Sequence, residues 1–168
     1  KPDVIHCQDA ACAMVPVFAN IIKKLRQIKY IVTIHNAGPG YHHEYYSMDI
    51  AERLTGLSSF ILEKGINGQA VEPFLLAGLY AELTTVSPWY AEEIMNGTTE
   101  TQGLSQAFNK LGIKIKGITN GIDSEKYLPE KKEISLLPYE YSPSLCQLEG
   151  KYNNRQYFLE HYASKNAV

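Results

Sequence analysis

The sequence predicts an α/β fold, a doubly wound parallel sheet with flanking helices, and three observations carry that expectation. Short runs rich in β-branched and aromatic residues, Asp3–Cys7, Tyr30–Ile34, Leu83–Val86 and Lys114–Thr119, alternate with longer segments of helical pattern, the signature of a sheet wound with helices. The order strand, helix, strand implies right-handed parallel crossovers. Each run also ends in polar or turn-forming residues, Gln8-Asp9, His35-Asn36, Ser87-Pro88 and Asn120-Gly121. In open parallel sheets ligands collect at the carboxyl ends of the strands, so several polar ends on one edge are the arrangement a ligand crevice needs.

Asp3–Cys7 reads as a short buried strand. Gln8 to Cys12 open a helix expected to run to about Gln27, with Asp9 as its cap or in its first turn, where a carboxylate meets unpaired amides and the positive end of the helix dipole. Pro16 falls inside this helix and predicts a kink or a late start, and Lys23, Lys24 and Arg26 crowd its end. Tyr30–Ile34 is a continuous β-branched and aromatic run, the mark of a strand buried on both faces. It stops at His35-Asn36, before a loop of breakers and rings, Ala37 to His43. Imidazole and carboxamide groups at that place are ligand candidates, although a polar pair is also a plain way to end a strand.

Tyr45–Leu54 reads as a short helix, Leu57–Lys64 as a further segment, Gly65–Gly68 as a turn and Gln69–Tyr80 as a strongly apolar helix. After the third strand, Ser87 is placed as an N-cap with Pro88 at the first helical position. The polar loop Gly97–Gly103 leads to a helix at Leu104–Leu111, then to the fourth strand and Asn120-Gly-Ile-Asp123. Beyond it, Glu125–Tyr141 mixes charges and prolines without periodicity and reads as an extended surface connection. Glu149–Ala163 reads as a terminal helix with Tyr152, Phe158, Leu159 and Tyr162 on its apolar side.

The composition narrows the function. The chain has 168 residues, 45% of them apolar and 20% charged, which suits an ordinary globular protein with a real core. A formal net charge of −2 gives no footprint for nucleic acid. No apolar run approaches bilayer length, so no membrane partner is expected. Cys7, Cys12 and Cys146 are too few and too scattered for a disulfide framework or a zinc site, which points to a reducing cytoplasm. The first residues already read as a strand, and a piece of a longer protein is expected.

There is no G-x-G-x-x-G, no G-x-x-x-x-G-K-[ST] and no G-x-S-x-G, so dinucleotide fingerprint, P-loop and acyl-hydrolase elbow are absent from this sequence. His42-His43-Glu44 reads as a solvated loop rather than a metal site, because adjacent histidines usually point apart. Taken alone, Asp9 is more often an N-cap than a catalyst, and Asn120-Gly121 more often a turn than a ligand group. Twelve tyrosines could stack on sugar faces, since rings with a polar handle suit them, but most serve packing.

Taken together the strand ends are more specific. Pro2-Asp-Val-Ile-His-Cys-Gln-Asp9, Thr33-Ile-His-Asn36, Asn67-Gly-Gln69 with Phe74-Leu-Leu-Ala-Gly-Leu-Tyr80, Thr85-Val-Ser-Pro-Trp-Tyr-Ala-Glu-Glu-Ile94 and Gly117-Ile-Thr-Asn-Gly-Ile-Asp123 resemble the bacterial glycogen synthase and plant starch synthase family of glycosyltransferases. Leu148-Glu-Gly-Lys-Tyr-Asn-Asn-Arg155 is similar to the family's Gly-Lys-x-x-Asn-Lys helix. The order and approximate spacing hold over nearly the whole chain.

The resemblance implies two Rossmann-like domains facing across a cleft. Residues 1–123 would be the latter half of the first, acceptor-side domain, and residues 124–168 the connection and helix leading toward a second. It implies transfer of glucose from ADP-glucose to the nonreducing end of an α-1,4-glucan, with retention and without a metal or cofactor. The partners would be the sugar nucleotide and the glucan, in the cytoplasm or, for a plant source, the plastid; no feature of the sequence specifies an oligomeric state. By the same resemblance His35 and Asn36 would hold the transferred glucose, His35 near its 6-hydroxyl. Asn120 would contact the sugar as well, and Asp9 would sit in the active site, positioning the acceptor or His35.

That assignment makes chemical sense. Glycosyl transfer passes through an oxocarbenium-like state, whose charge a carboxylate or carbonyl dipole stabilises while polar groups on hydroxyls fix geometry. The leaving diphosphate needs cations. The family's Lys-x-Gly-Gly loop precedes the matched stretch and its Arg/Lys pair and glutamate follow it, so the 168 residues by themselves are expected to be inactive.

The sequence also departs from the family. Its usual His-x-His-Asp-Trp-His is here His6-Cys7-Gln8-Asp9-Ala10-Ala11, its Leu-Lys-Ala-Gly is Leu75-Leu76-Ala77-Gly78, and the expected Trp after Asn-Gly-Ile-Asp is Tyr127. A transferase of the same fold with another donor or acceptor, or a non-catalytic glucan-binding relative, are the alternatives these departures raise.

Overall fold

The computed structural model describes residues 2–163. Its strands are β1 (Val4–Gln8), β2 (Lys29–Ile34), β3 (Ile66–Asn67), β4 (Ala70–Val71), β5 (Glu82–Thr85) and β6 (Ile115–Gly117). Its helices are α1 (Asp9–Ile21), α2 (Met48–Thr55), α3 (Ser59–Leu62), α4 (Pro73–Gly78), α5 (Pro88–Asn96), α6 (Leu104–Leu111), α7 (Lys132–Ser135) and α8 (Glu149–His161). The chain divides into two compact units, the first ending at Asn120 and the second starting at Gly121.

In the first unit, four strands form one sheet in the order β1-β2-β5-β6, and every neighbouring pair is parallel. All three crossovers advance the same way along the sheet. Right-handed crossovers advancing one way put their helices on one face, and the core shows it. Cys7, Val32, Ile34 and Leu83 pack with Ala10 and Ala13 of α1, Phe74 and Leu75 of α4, Ile94 of α5 and Phe108 of α6 in one buried cluster. Side chains of the other parity point away. There Val4, His6, Gln8, Glu82 and Lys116 are exposed and Ile31 is half-buried, so β2 is less fully covered than its apolar run predicts. A polar chain crosses this second face, with His6 Nε2 2.6 Å from Thr33 Oγ1 and Thr33 Oγ1 2.7 Å from Thr84 Oγ1.

Two helices depart most from their expected bounds, and both are shorter. α1 begins at Asp9 despite Pro16, with no late start, and ends at Ile21 rather than near Gln27. Ile22 leaves it in an extended conformation, and Ile28 and Tyr30 bury beside Ala19 in a small cluster of their own. α4 begins at Pro73 rather than Gln69. The residues before it form a hairpin, with Ala70 and Val71 paired to Asn67 and Ile66, and Val71 exchanges both backbone bonds with Tyr45, at 2.8 and 3.0 Å. Those bonds use the amides and carbonyls that a longer helix would need, and Pro73 fits the first helical turn, where its missing N–H costs nothing.

The second unit has no buried apolar side chain among the described residues; Ser142 alone is buried. The expected extended connection contains one helical turn, α7. Of the expected apolar side of α8, Tyr152, Phe158 and Tyr162 are 68, 57 and 69% exposed and Leu159 is half-buried. Two features hold the start of α8. A Cβ on Gly150 would lie 1.9 Å from the Glu140 carbonyl oxygen, so the backbone at 140 crosses α8 where only glycine fits. One turn later, Asn154 accepts from the Tyr139 N–H at 3.0 Å and donates to the Tyr139 carbonyl at 2.7 Å.

Candidate active site

Parallel pairing places the carboxyl ends of β1, β2, β5 and β6 on one edge of the sheet. At the end of β1, Asp9 takes a left-handed backbone conformation, φ +55°, which costs a non-glycine residue about 1 kcal/mol. That turn swings its carboxylate across to β2, where Asp9 Oδ1 accepts the His35 backbone N–H at 2.8 Å. Asp9 lies in the first turn of α1, and its carboxylate reaches the neighbouring strand end. Gln8 completes the junction, with Oε1 2.7 Å from Nε2 of the exposed His35 ring. With Gln8 presenting its carbonyl oxygen, a proton on His35 Nε2 makes this contact a hydrogen bond.

The backbone around His35 is tied on both sides. Thr85 Oγ1 donates to the Ile34 carbonyl at 2.7 Å. Asn36 turns its Oδ1 back to accept the Gly38 N–H at 2.8 Å, and the Ala37 N–H donates to Tyr90 Oη at 2.9 Å. Tyr90 reaches this point from α5, whose first turn is capped by Ser87 Oγ accepting the Tyr90 N–H at 3.0 Å, as the Ser-Pro pattern predicts. Gly117 lets that helix start sit against β6, because a Cβ there would lie 2.2 Å from the Ser87 carbonyl oxygen.

Of the residues assigned from sequence, Asp9, His35 and Asn36 come together at the junction of β1 and β2. Asn120 follows β6, whose carboxyl end lies on the same edge, and is exposed. β5 lies between β2, which leads to His35, and β6, which leads to Asn120. The strand ends thus offer the imidazole of His35, the carboxamides of Gln8, Asn36 and Asn120 and the carboxylate of Asp9, groups that hold hydroxyls by hydrogen bonds.

Three site residues escaped the sequence reading. Gln8 was visible, since it directly precedes Asp9. Tyr90 was visible only as part of Ser-Pro-Trp-Tyr. His42 gave no signal. Expected in a solvated loop, it is fully buried, with Nε2 2.8 Å from the Ala37 carbonyl oxygen and Nδ1 3.3 Å from Glu72 Oε1. Burial alone would lower its pKa, but the hydrogen bonds to Glu72 and Ala37, with the charges of Glu72 and Glu44, outweigh this and hold the imidazole above its ordinary value. His43 turns outward at φ +50°, so the two histidines do point apart.

A family model described as the starch synthase catalytic domain matches residues 1–110. The chain belongs to the starch synthase catalytic domain family. It is 30% identical over 165 residues to the glycogen synthase of Chlorobium phaeovibrioides, covering 95% of this chain and 32% of that protein. To the glycogen synthase of Fusobacterium nucleatum it is 35% identical over 141 residues, 82% of this chain and 30% of the relative. Among solved structures, the catalytic domain of starch synthase IV from Arabidopsis thaliana bound to ADP and acarbose superimposes with a TM-score of 0.68 at 27% identity, over 100% of this chain and 34% of that one. The chain therefore spans about a third of the length of the curated relatives it matches. Among the described residues no helix is long and apolar enough to cross a membrane.

Proposed function

We propose that this chain is part of a glycogen or starch synthase-type transferase that moves glucose from ADP-glucose to the nonreducing end of an α-1,4-glucan with retention, in the cytoplasm or a plastid. The observation that carries the reading is the junction of β1 and β2, where Asp9 holds the His35 backbone and Gln8 holds its ring. The ADP and acarbose of the similar Arabidopsis structure support the choice of a sugar nucleotide and a glucan as ligands. In this reading His35 and Asn36 hold hydroxyls of the transferred glucose, Asn120 extends the same rim, and Asp9 positions His35. Fixing the sugar in this way removes orientational freedom before the bond breaks. The Asp9 charge also favours the positive ring of the transition state.

The test uses the full-length protein with ADP-glucose and a maltooligosaccharide. Glucose transfer is expected, and His35→Ala should lower kcat/KM by roughly 100-fold or more. A full-length protein with no transfer from ADP-glucose would sink the reading. Undiminished activity in His35→Ala would move the site elsewhere or favour a non-catalytic relative. These 168 residues by themselves should neither transfer glucose nor bind ADP-glucose well, and clear turnover by them would refute that expectation. A second reading, another donor or acceptor on the same fold, is favoured by Gln8, Ala10 and Ala11 standing where the family's histidine, tryptophan and histidine are expected. Donor and acceptor screening of the full-length protein decides it.

A further inference from the structure

We propose that His42 and Glu72 are positioning residues for the sugar site: as a buried pair they clamp the Ala37 carbonyl and so fix the backbone that carries His35 and Asn36, an inference that rests on the site reading above.

The pair is costly to place where it is. His42 is 0% and Glu72 2% exposed, and Glu72 Oε2 is buried without a hydrogen-bond partner in this structure. Replacing such a pair by apolar side chains is often neutral or stabilising, so stability alone is a poor reason for it. Its geometry gives a better one. The Ala37 carbonyl can only accept, so the proton facing it sits on His42 Nε2. Nδ1 then faces the Glu72 carboxylate at 3.3 Å. The imidazole also packs against the Phe74 ring in a T-shaped arrangement, 6.2 Å between centroids, which limits its rotation.

What His42 holds is the residue next to Asn36. Ala37 is fully buried, its N–H is taken by Tyr90 of α5, and its carbonyl is taken by His42. Both backbone groups of one loop residue are thus held by side chains, one from α5 and one from the far end of the same loop. Glu72 is itself fixed at the start of α4, its N–H on the Gly65 carbonyl at 2.8 Å and its own carbonyl accepting the Leu76 N–H at 3.2 Å. A line of contacts runs from α4 through Glu72, His42 and Ala37 to the sugar-holding pair. Loops after strands ordinarily move; here the position of His35 and Asn36 is referred to a helix in the core.

The test separates positioning from folding. In the full-length protein, Glu72→Gln keeps the clamp, because the new amide donates to Nδ1 of a neutral His42 while Nε2 still donates to Ala37; its kcat should stay within about 3-fold of wild type. The double variant His42→Leu/Glu72→Leu leaves no unpaired charge and should fold, yet it frees the Ala37 carbonyl. Its kcat should fall roughly 10- to 100-fold, with a smaller change in KM and a thermal midpoint close to that of Glu72→Gln. A double variant with wild-type kcat overturns the proposal.

Hydrogen exchange of residues 35–43 reads the clamp without activity. Faster exchange in the double variant but not in Glu72→Gln upholds it, and equal exchange in both overturns it. Should the wild-type protein fail to transfer glucose, the functional reading falls while this comparison still decides the clamp. Wild-type NMR gives a check that needs no variant: a protected His42 Hε2 proton is expected, and its absence overturns the proposal.

Discussion

Phe74 in the first unit is 0% exposed and Phe158 in the second is 57% exposed, and the two rings show how differently the regions are held. Phe74 lies in a cluster drawn from three strands and four helices, so its surroundings are set by apolar surface leaving water. Phe158 stacks on Tyr162, 5.8 Å away, at the surface of α8. Around it the second unit is organised by polar links: Asn154 on Tyr139, Ser142 paired with Gln147, and the close crossing at Gly150. The lesson is that secondary structure of similar length can rest on different forces. α1 and α8 each have 13 residues, yet α1 buries six of them and α8 none.

Substitutions can break or sharpen that contrast. The largest effect is expected from Phe74→Ala, about 3–5 kcal/mol from the lost burial and the cavity left behind, read by chemical denaturation; a loss below about 1 kcal/mol would mean the first core is not packed as described. Gly150→Ala should cost about 1–3 kcal/mol, since the Glu140 backbone must move aside. It should show as faster hydrogen exchange across Glu149–His161. Asn154→Ala removes two hydrogen bonds that water can partly replace, and about 1 kcal/mol is expected at the same segment. Phe158→Ala should change stability by no more than about 0.5 kcal/mol; a cost equal to that at Phe74 would erase the distinction.

The last test is a slope rather than a step. His42 has its folded pKa raised above the unfolded one. Its contribution to stability is therefore fully present below the unfolded value of about 6.5 and is lost as pH rises through the folded value. Denaturation midpoints should decline over that alkaline-going window, and the decline should shrink in Glu72→Gln.

The strands were legible because β-branched runs bounded by turn residues have few other readings. The end of α1 was not, since Ile22, Leu25 and Ile28 continue a plausible helical pattern, while in the fold Ile28 buries beside Tyr30 and the Tyr30 hydroxyl donates to the Leu25 carbonyl. For α4 the punctuation was present in Pro73, but the apolar run from Ala70 outweighed it; a two-residue hairpin is too short to leave a period. In the site, Asp9 and His35 announced themselves by ending adjacent strands. That Asp9 binds the His35 backbone could not be read from spacing, because it depends on strand register. His42 was misread for the opposite reason: its neighbours look wet, and a loop that folds inward leaves no mark on local hydropathy.

The backbone twist at Asp9 governs how any alanine scan of this protein should be interpreted. At φ +55° alanine loses a carboxylate and must also tolerate a conformation that asparagine and glycine accept more readily. A dead Asp9→Ala enzyme would therefore mix two defects. Asp9→Asn deletes the charge while keeping a side chain able to reach His35, and Asp9→Gly deletes the side chain while relaxing the main chain, so only the pair of them can say which defect silences the reaction.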